Sequence, residues 1–258
     1  MLPCLPRRGV YIGIHGRFLF EPQKYPDSTS SVATFDREFG SPRDNRLYCV
    51  FAFEPNPKFE QRHLDLEKAY RTLGWQYTFI KAGASNIDGN LTFYHSHLVN
   101  STTENGFSAL TSKTLYGTDA SGRTVQILRL ASWIQNEIED RRIPMQYPKQ
   151  IHEPKVVMKL DVEGLEFKVF PDLLTTGALC KNIHLMIGEF HYSPGNNNFY
   201  PFNVTEDGKN LLQNRKDGEA LAKQMLRLLG ISENCMTRVS LDDDEAYATD
   251  PHDLPSLG

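Results

Sequence analysis

The run Val156-Val157-Met158-Lys159-Leu160 is strand-forming and almost wholly apolar, and it stops abruptly in acid. Asp161, Glu163 and Glu166 follow, with Gly164 among them. A continuous apolar run predicts a strand covered on both faces, the condition of a parallel sheet in an α/β protein. Leu47 to Phe53 (LYCVFAF) and Ile183 to Phe190 (IHLMIGEF) read the same way, and each also meets an acid, Glu54 and Glu189, with His191 close behind the second. In open sheets of this class, ligands lie beyond the carboxyl ends of strands where the strand order reverses. Asp161 and Glu163 are therefore expected at a crevice. Acids also favour helix N-termini, and a helix is predicted from Leu165 to about Leu174. Three acids in six residues exceed what a cap needs.

The rest of the chain supports the same architecture. Gly9 to Ile14 reads as a first strand, with Gly13 and Gly16 making a short glycine turn. Ser31 to Phe39 predicts a short helix closed by Gly40. Asn56 and Pro57 mark a helix start. Phe59, His63, Leu66, Tyr70 and Leu73 then share one face at helical spacing, and Gly74 ends the run. His63 reads as a partly buried helix residue. Trp75 to Ala82 predicts a third strand. Asp88-Gly89 is a hairpin signal leading into Leu91–Tyr94. Val125, Ile127 and Leu128 mark a further strand, Ala131 to Ile138 and Ala220 to Leu229 helices, and Cys235 to Leu241 a last strand. Strands alternating with helices predict a mostly parallel sheet with helices on both faces, formed by residues 1–258 as a single domain. The polar stretches 95–123 and 193–216 are expected to build an acceptor pocket, and the acidic tail LDDDEAYATDPHDLP to be a solvated end.

Bulk properties exclude some functions. A net charge of −4 and a pI near 6.1 do not suit a general nucleic-acid surface. No apolar run approaches the roughly 20 residues of a membrane span. Cys4, Cys49, Cys180 and Cys235 form no CxxC pair and lack metal-ligand spacing. Cys49 and Cys180 are expected as small core residues, and no disulfide framework is expected. The first ten residues are too short for a signal peptide, which suggests a clipped N-terminus or a minimal domain. Asn90, Asn100 and Asn203 each begin an N-x-[ST] triplet, a pattern that arises readily by chance. The compartment stays open between the cytoplasm and, for a truncated N-terminus, the secretory pathway.

An acid ending the second strand of a βαβ unit, such as Glu54, is placed to accept hydrogen bonds from ribose hydroxyls. A glycine turn after the first strand lets the backbone approach a ligand. Together they describe a nucleoside pocket, with His191 able to serve as a general base or a polar anchor.

Phe51-Ala52-Phe53-Glu54-Pro55-Asn56-Pro57 resembles the FEPNP motif of the FkbM-type S-adenosylmethionine-dependent methyltransferases. Met158-Lys159-Leu160-Asp161-Val162-Glu163-Gly164-Leu165-Glu166 resembles their K-[IL]-D-V-E-G-x-E motif. Ala82-Gly83-Ala84-Ser85 with Asp88–Tyr94, and Gly188-Glu189-Phe190-His191, are similar to further family segments. The resemblance covers about residues 47–192. It implies a Rossmann-like class I fold, with a seven-stranded sheet whose last strand is antiparallel. It also implies methyl transfer from S-adenosylmethionine to a hydroxyl of a sugar or other small molecule, without a metal. Glu54 would hold the donor's ribose. Gly13, Gly16, Asn56, Gly83, Ser85 and Asp161 would surround the donor, and residues 83–88 would border its adenine. Asp161 and Glu163 would line the transfer site, supported by Lys159, and Asp161, Glu163 and His191 are the candidate bases. The family's first motif, D-x-G-[AS]-x-x-G, is altered here: Tyr11 replaces the acid and the glycine spacing in Tyr11-Ile12-Gly13-Ile14-His15-Gly16 is shorter by one. Residues 1–46 thus read as a degenerate or truncated first strand and turn. Two other readings follow: a non-catalytic domain with a degenerate donor site, and a metal-dependent hydrolase using Asp161, Glu163 and His191 as ligands.

Overall fold

A computed structural model describes residues 9–13, 16–26, 29–95, 107–108, 122–139, 155–162, 165–190, 215–230, 234–241 and 252–256. In chain order its elements are β1 (Gly9–Ile12), α1 (Gly16–Phe20), α2 (Thr29–Phe39), β2 (Tyr48–Phe53), α3 (Glu60–Thr72) and β3 (Gln76–Ile80). There follow β4 (Gly83–Ser85), β5 (Gly89–His95), β6 (Phe107–Ser108), β7 (Arg123–Arg129) and α4 (Leu130–Ile134), which runs on as a π-turn over Gln135–Glu139. The last are β8 (Lys155–Leu160), α5 (Glu166–Thr175), α6 (Ala178–Asn182), β9 (Leu185–Gly188), α7 (Arg215–Leu229) and β10 (Arg238–Leu241).

The main sheet has the order β10-β9-β8-β1-β2-β3, and all five of its ladders are parallel. The apolar strands are covered on both sides, as their unbroken hydrophobicity requires. Val10, Ile12, Cys49, Phe51, Val156, Met158 and Leu160 face one core, shared with α4, α5, α6 and α7. Tyr11, Tyr48, Val50, Ala52 and Val157 face the other, shared with α1, α2 and α3. The alternation of side chains along each strand sorts them between the two cores.

Several expectations are corrected. The last strand among the described residues, β10, is not antiparallel. Among the described residues the main sheet has six strands rather than seven, and β10 runs parallel to β9, with Arg238 opposite Leu185 and Leu241 opposite Gly188. Parallel strands need a crossover connection, usually a helix, and α7, with Ala222, Met225 and Leu229 buried in the sheet's core, is that crossover. Asp88-Gly89 does not join two paired strands. β4 and β5 lie on opposite sides of β7, β4 parallel to it and β5 antiparallel. Asp88 instead accepts the Arg129 backbone N–H at 2.9 Å, tying the turn to β7. Nor is the tail simply solvated. The His252 and Asp253 carbonyls accept from Arg17 at 3.2 and 2.8 Å, the Asp253 carbonyl also accepts from Lys24 at 3.0 Å, and the His252 ring packs edge-on against Tyr25. Main-chain oxygens, not acidic side chains, make these contacts.

The cysteines are also corrected. Cys180, on α6, is disulfide-bonded to Cys235, in the segment leading to β10. Cys49 is disulfide-bonded too; Cys49 lies in the core and Cys180 packs against it as expected, but the expectation of no disulfides is overturned. Thr237 reinforces the Cys180–Cys235 junction, its hydroxyl lying 2.8 Å from the Ile183 carbonyl. The bridge closes a sequence separation of 55 residues, and losing such a link costs about 2–5 kcal/mol. A Cys180→Ser/Cys235→Ser double variant is expected to lose about that much unfolding free energy in urea titrations, with an unchanged fold by far-UV circular dichroism.

Candidate functional site

β1 lies between β8 and β2 in a common register. Gly9 is opposite both Lys155 and Tyr48, and Ile12 is opposite both Met158 and Phe51. Continuing the register by one residue puts Gly13 in a row with Lys159 and Ala52. Glu54 and Asp161 then each fall two residues beyond that row, on either side of the turn. Two strand spacings, about 10 Å, separate the strands that carry them. From β1 the chain moves out to β2 and β3, then returns to β8 on the other side of β1. The place between β1 and β8 is therefore the topological switch point of the sheet, where ligands of such folds bind. Glu189, at the end of β9, continues the same edge, its backbone N–H donating to the Leu160 carbonyl at 3.2 Å.

Local contacts explain why the glycines sit where they do. Gly13 has φ +143°, and a Cβ there would lie 2.7 Å from the Tyr11 hydroxyl and 3.2 Å from Lys159 Cβ. A side chain there would be strained by the backbone and crowded by Tyr11 and Lys159. Gly16 meets a different demand. Its Cβ would come within 2.5 Å of Val50 and 2.9 Å of Tyr77, so its absence lets α1 pack closely on the sheet.

On the β2 side, the Glu54 backbone N–H donates to Ile80, and a Glu54 carboxylate oxygen accepts the Asn56 N–H at 2.6 Å. The Asn56 side-chain oxygen accepts the Lys58 N–H at 3.0 Å, closing a turn that delays the helix to Glu60. The Asn56 amide nitrogen is buried and has no hydrogen-bond partner among the described residues. Gly83 lies where a Cβ would meet Phe93, Ile127 and Pro55, so the buried start of β4 packs directly on the β2 turn, with Ser85 buried two residues on.

On the β8 side, the Lys159 ammonium lies 2.9 Å from the Asp161 carboxylate, with side-chain exposures of only 4% and 10%. Lys159, the one polar residue among the buried positions of the strand, thus buries its stem and holds the acid at the strand end. The third acid of the cluster has a structural task. Glu166 is fully buried and accepts the Val162 N–H at 3.0 Å, fastening the turn to the start of α5. Glu163 and His191, two of the three candidate bases, lie outside the described residues, as do most of the loops expected to form the acceptor pocket.

Between α1, α3 and β3 lies a polar layer that sequence reading missed. His63 Nδ1 is 2.7 Å from the Tyr77 hydroxyl, and its ring stacks on Phe79. Burial, then the neighbouring Tyr11 and Glu54, push the Tyr77 phenol above its ordinary range. Further along, Glu21 receives Arg17 at 3.0 Å, Tyr70 at 2.5 Å and Lys24 at 2.7 Å. The i, i+4 spacing of Arg17 and Glu21 was the available signal, but a five-residue helix leaves almost no periodic pattern.

A family model described as the Methyltransferase FkbM domain matches residues 30–235. The chain belongs to the FkbM methyltransferase family. Neither the curated proteins nor the solved structures searched contain a match to it. In this family member the matched span takes in both acid-bearing strand ends, at Glu54 and Asp161. It begins after β1 and the residues that follow it up to Gly16.

The Glu21 network has a defined pH signature. Burial opposes ionisation of Glu21, but the hydrogen bonds from Lys24, Tyr70 and Arg17 together outweigh it and hold the carboxyl below its ordinary value. A lowered folded-state pKa contributes stability above the unfolded value, about 4.3, and that contribution is lost as pH falls through the folded value. Glu21→Gln is therefore expected to be less stable than the parent at neutral pH, by roughly 3 kcal/mol for a broken buried pair. The gap should narrow progressively in urea titrations below about pH 4.

Proposed function

We propose that this FkbM methyltransferase moves a methyl group from S-adenosylmethionine to a hydroxyl oxygen of a sugar or another small molecule. The observation that carries the reading is the common register, which sets Glu54 and Asp161 symmetrically about the Gly13 turn at the switch point of the sheet. Three features suit the donor. Glu54 offers a half-buried carboxylate at the end of β2, Asn56 a buried amide nitrogen in need of an acceptor, and Gly13 a position with no side chain.

When bound, S-adenosylmethionine supplies a methyl group already activated by its sulfonium, so no metal is required for the leaving group. The work left to the protein is alignment and proton removal. Glu54 would accept hydrogen bonds from the ribose hydroxyls, with its own orientation fixed by the Asn56 N–H. Gly83 and Ser85, buried against the β2 turn, would border the adenine. Asp161, steered by Lys159, would face the acceptor and take its proton, with Glu163 and His191 as the other candidates for that role. Carboxylates at this edge also favour a positive charge on the donor.

A hydrolytic metal site is disfavoured by the Lys159 ammonium, which would meet a cation held at Asp161. One observation favours a non-catalytic alternative: Tyr11 stands in place of the family's acid, with its hydroxyl against Gly13. The two readings part in an assay with methyl-labelled donor and a panel of sugars and small hydroxyl compounds. Asp161→Asn is expected to lose about 10²–10⁴ in turnover. Glu54→Ala is expected to weaken donor binding by about 1.5–3 kcal/mol, roughly ten- to hundredfold. Equal residual turnover in the parent and both variants would favour the non-catalytic reading.

A further inference from the structure

β5 carries Asn90-Leu91-Thr92, an N-x-Thr triplet with no proline at its centre. The strand alternates, so Leu91 and Phe93 turn toward the core, with Phe93 buried, while Asn90 is exposed on the opposite face. The residues paired with it across the ladder, Gln126 opposite Asn90 and Thr124 opposite Thr92, are exposed as well, and nothing lies within 4 Å of a Cβ at the preceding Gly89. The outer face of this small sheet is thus polar and uncrowded, with room for a bulky hydrophilic group.

The second observation is independent of the triplet. Cys180 is bonded to Cys235, Cys49 is also disulfide-bonded, and no cysteine is free among the described residues. A chain of 258 residues with two extensive cores does not need disulfides to replace a missing core. Reducing systems keep cytosolic thiols unpaired, so disulfides that persist mark folding in an oxidising compartment.

We infer that the chain matures in the secretory pathway and that Asn90 carries an N-linked glycan. The Asn90 side-chain nitrogen forms a bond to the anomeric carbon of a lipid-diphosphate-linked oligosaccharide. The anomeric carbon–oxygen bond to the diphosphate breaks, the lipid diphosphate leaves with the electron pair, and the amide nitrogen gives up one proton. No oxidation or reduction takes part. The glycan then projects from the exposed face of β5.

The test uses the full-length protein isolated from the cells that make it. Peptide mass mapping before and after peptide-N-glycosidase treatment reads position 90, and mapping without reductant reads the Cys180–Cys235 link. The expected result is a glycopeptide that becomes Asp at position 90 on enzymatic release, together with the intact cross-link. Re-expressed in the same cells, Asn90→Gln and Thr92→Ala should both lose the modification, and Thr92→Ser should retain it. Unmodified Asn90 in disulfide-bonded protein, or free thiols at Cys180 and Cys235, would overturn the inference.

Discussion

The common register of β8, β1 and β2 is the constraint on which the rest depends. A slip of one residue in any of these pairings would turn every side chain of that strand to the opposite face. It would drive Lys159 into the apolar core and carry Asp161 off the edge it shares with Glu54. The register is held because both faces are buried. Val156, Met158 and Leu160 belong to one core and Val157 to the other, so neither set can trade places. The position of the acids at the switch point thus follows from packing some distance below it.

The edge above that packing is polar but closely fastened. Glu54 is held by a backbone N–H, Asp161 by Lys159, and the turn after Asp161 by Glu166. These contacts restrict the carboxylates to few orientations, which is what a site needs if it is to align reactants without reorganising. The Tyr77–His63 pair ties α3 to β3 and the Arg17–Glu21–Tyr70 cluster ties α1 to α3, while the 252–253 carbonyls accept from Arg17. Buried charge of this kind is tolerated because each group has its counter-group within hydrogen-bond reach.

What was legible in the sequence was what repeats along it. Unbroken apolar runs identify β2, β8 and β9 as buried strands, and the three- and four-residue spacing from Phe59 to Leu73 identifies α3. The acids stand out because they end such runs. Features that depend on residues meeting across the fold were not legible. Cys180 and Cys235 are 55 residues apart and show no pairing pattern. The direction of β10 depends on α7 lying on the sheet face. The pairing of β4 with β7 rather than β5 depends on Asp88 reaching Arg129. Glu166 looks like one of three site acids until its carboxylate is found on the Val162 N–H. The close approach of Gly16 to Val50 and Tyr77 likewise depends on α1 lying on the sheet.

The central claim is that the altered Tyr11–Gly16 turn still completes a donor pocket between Glu54 and Asp161. Titration calorimetry of the full chain with S-adenosylhomocysteine tests it most directly. The account predicts saturable binding of one molecule per chain. A flat titration from protein shown to be folded would contradict it.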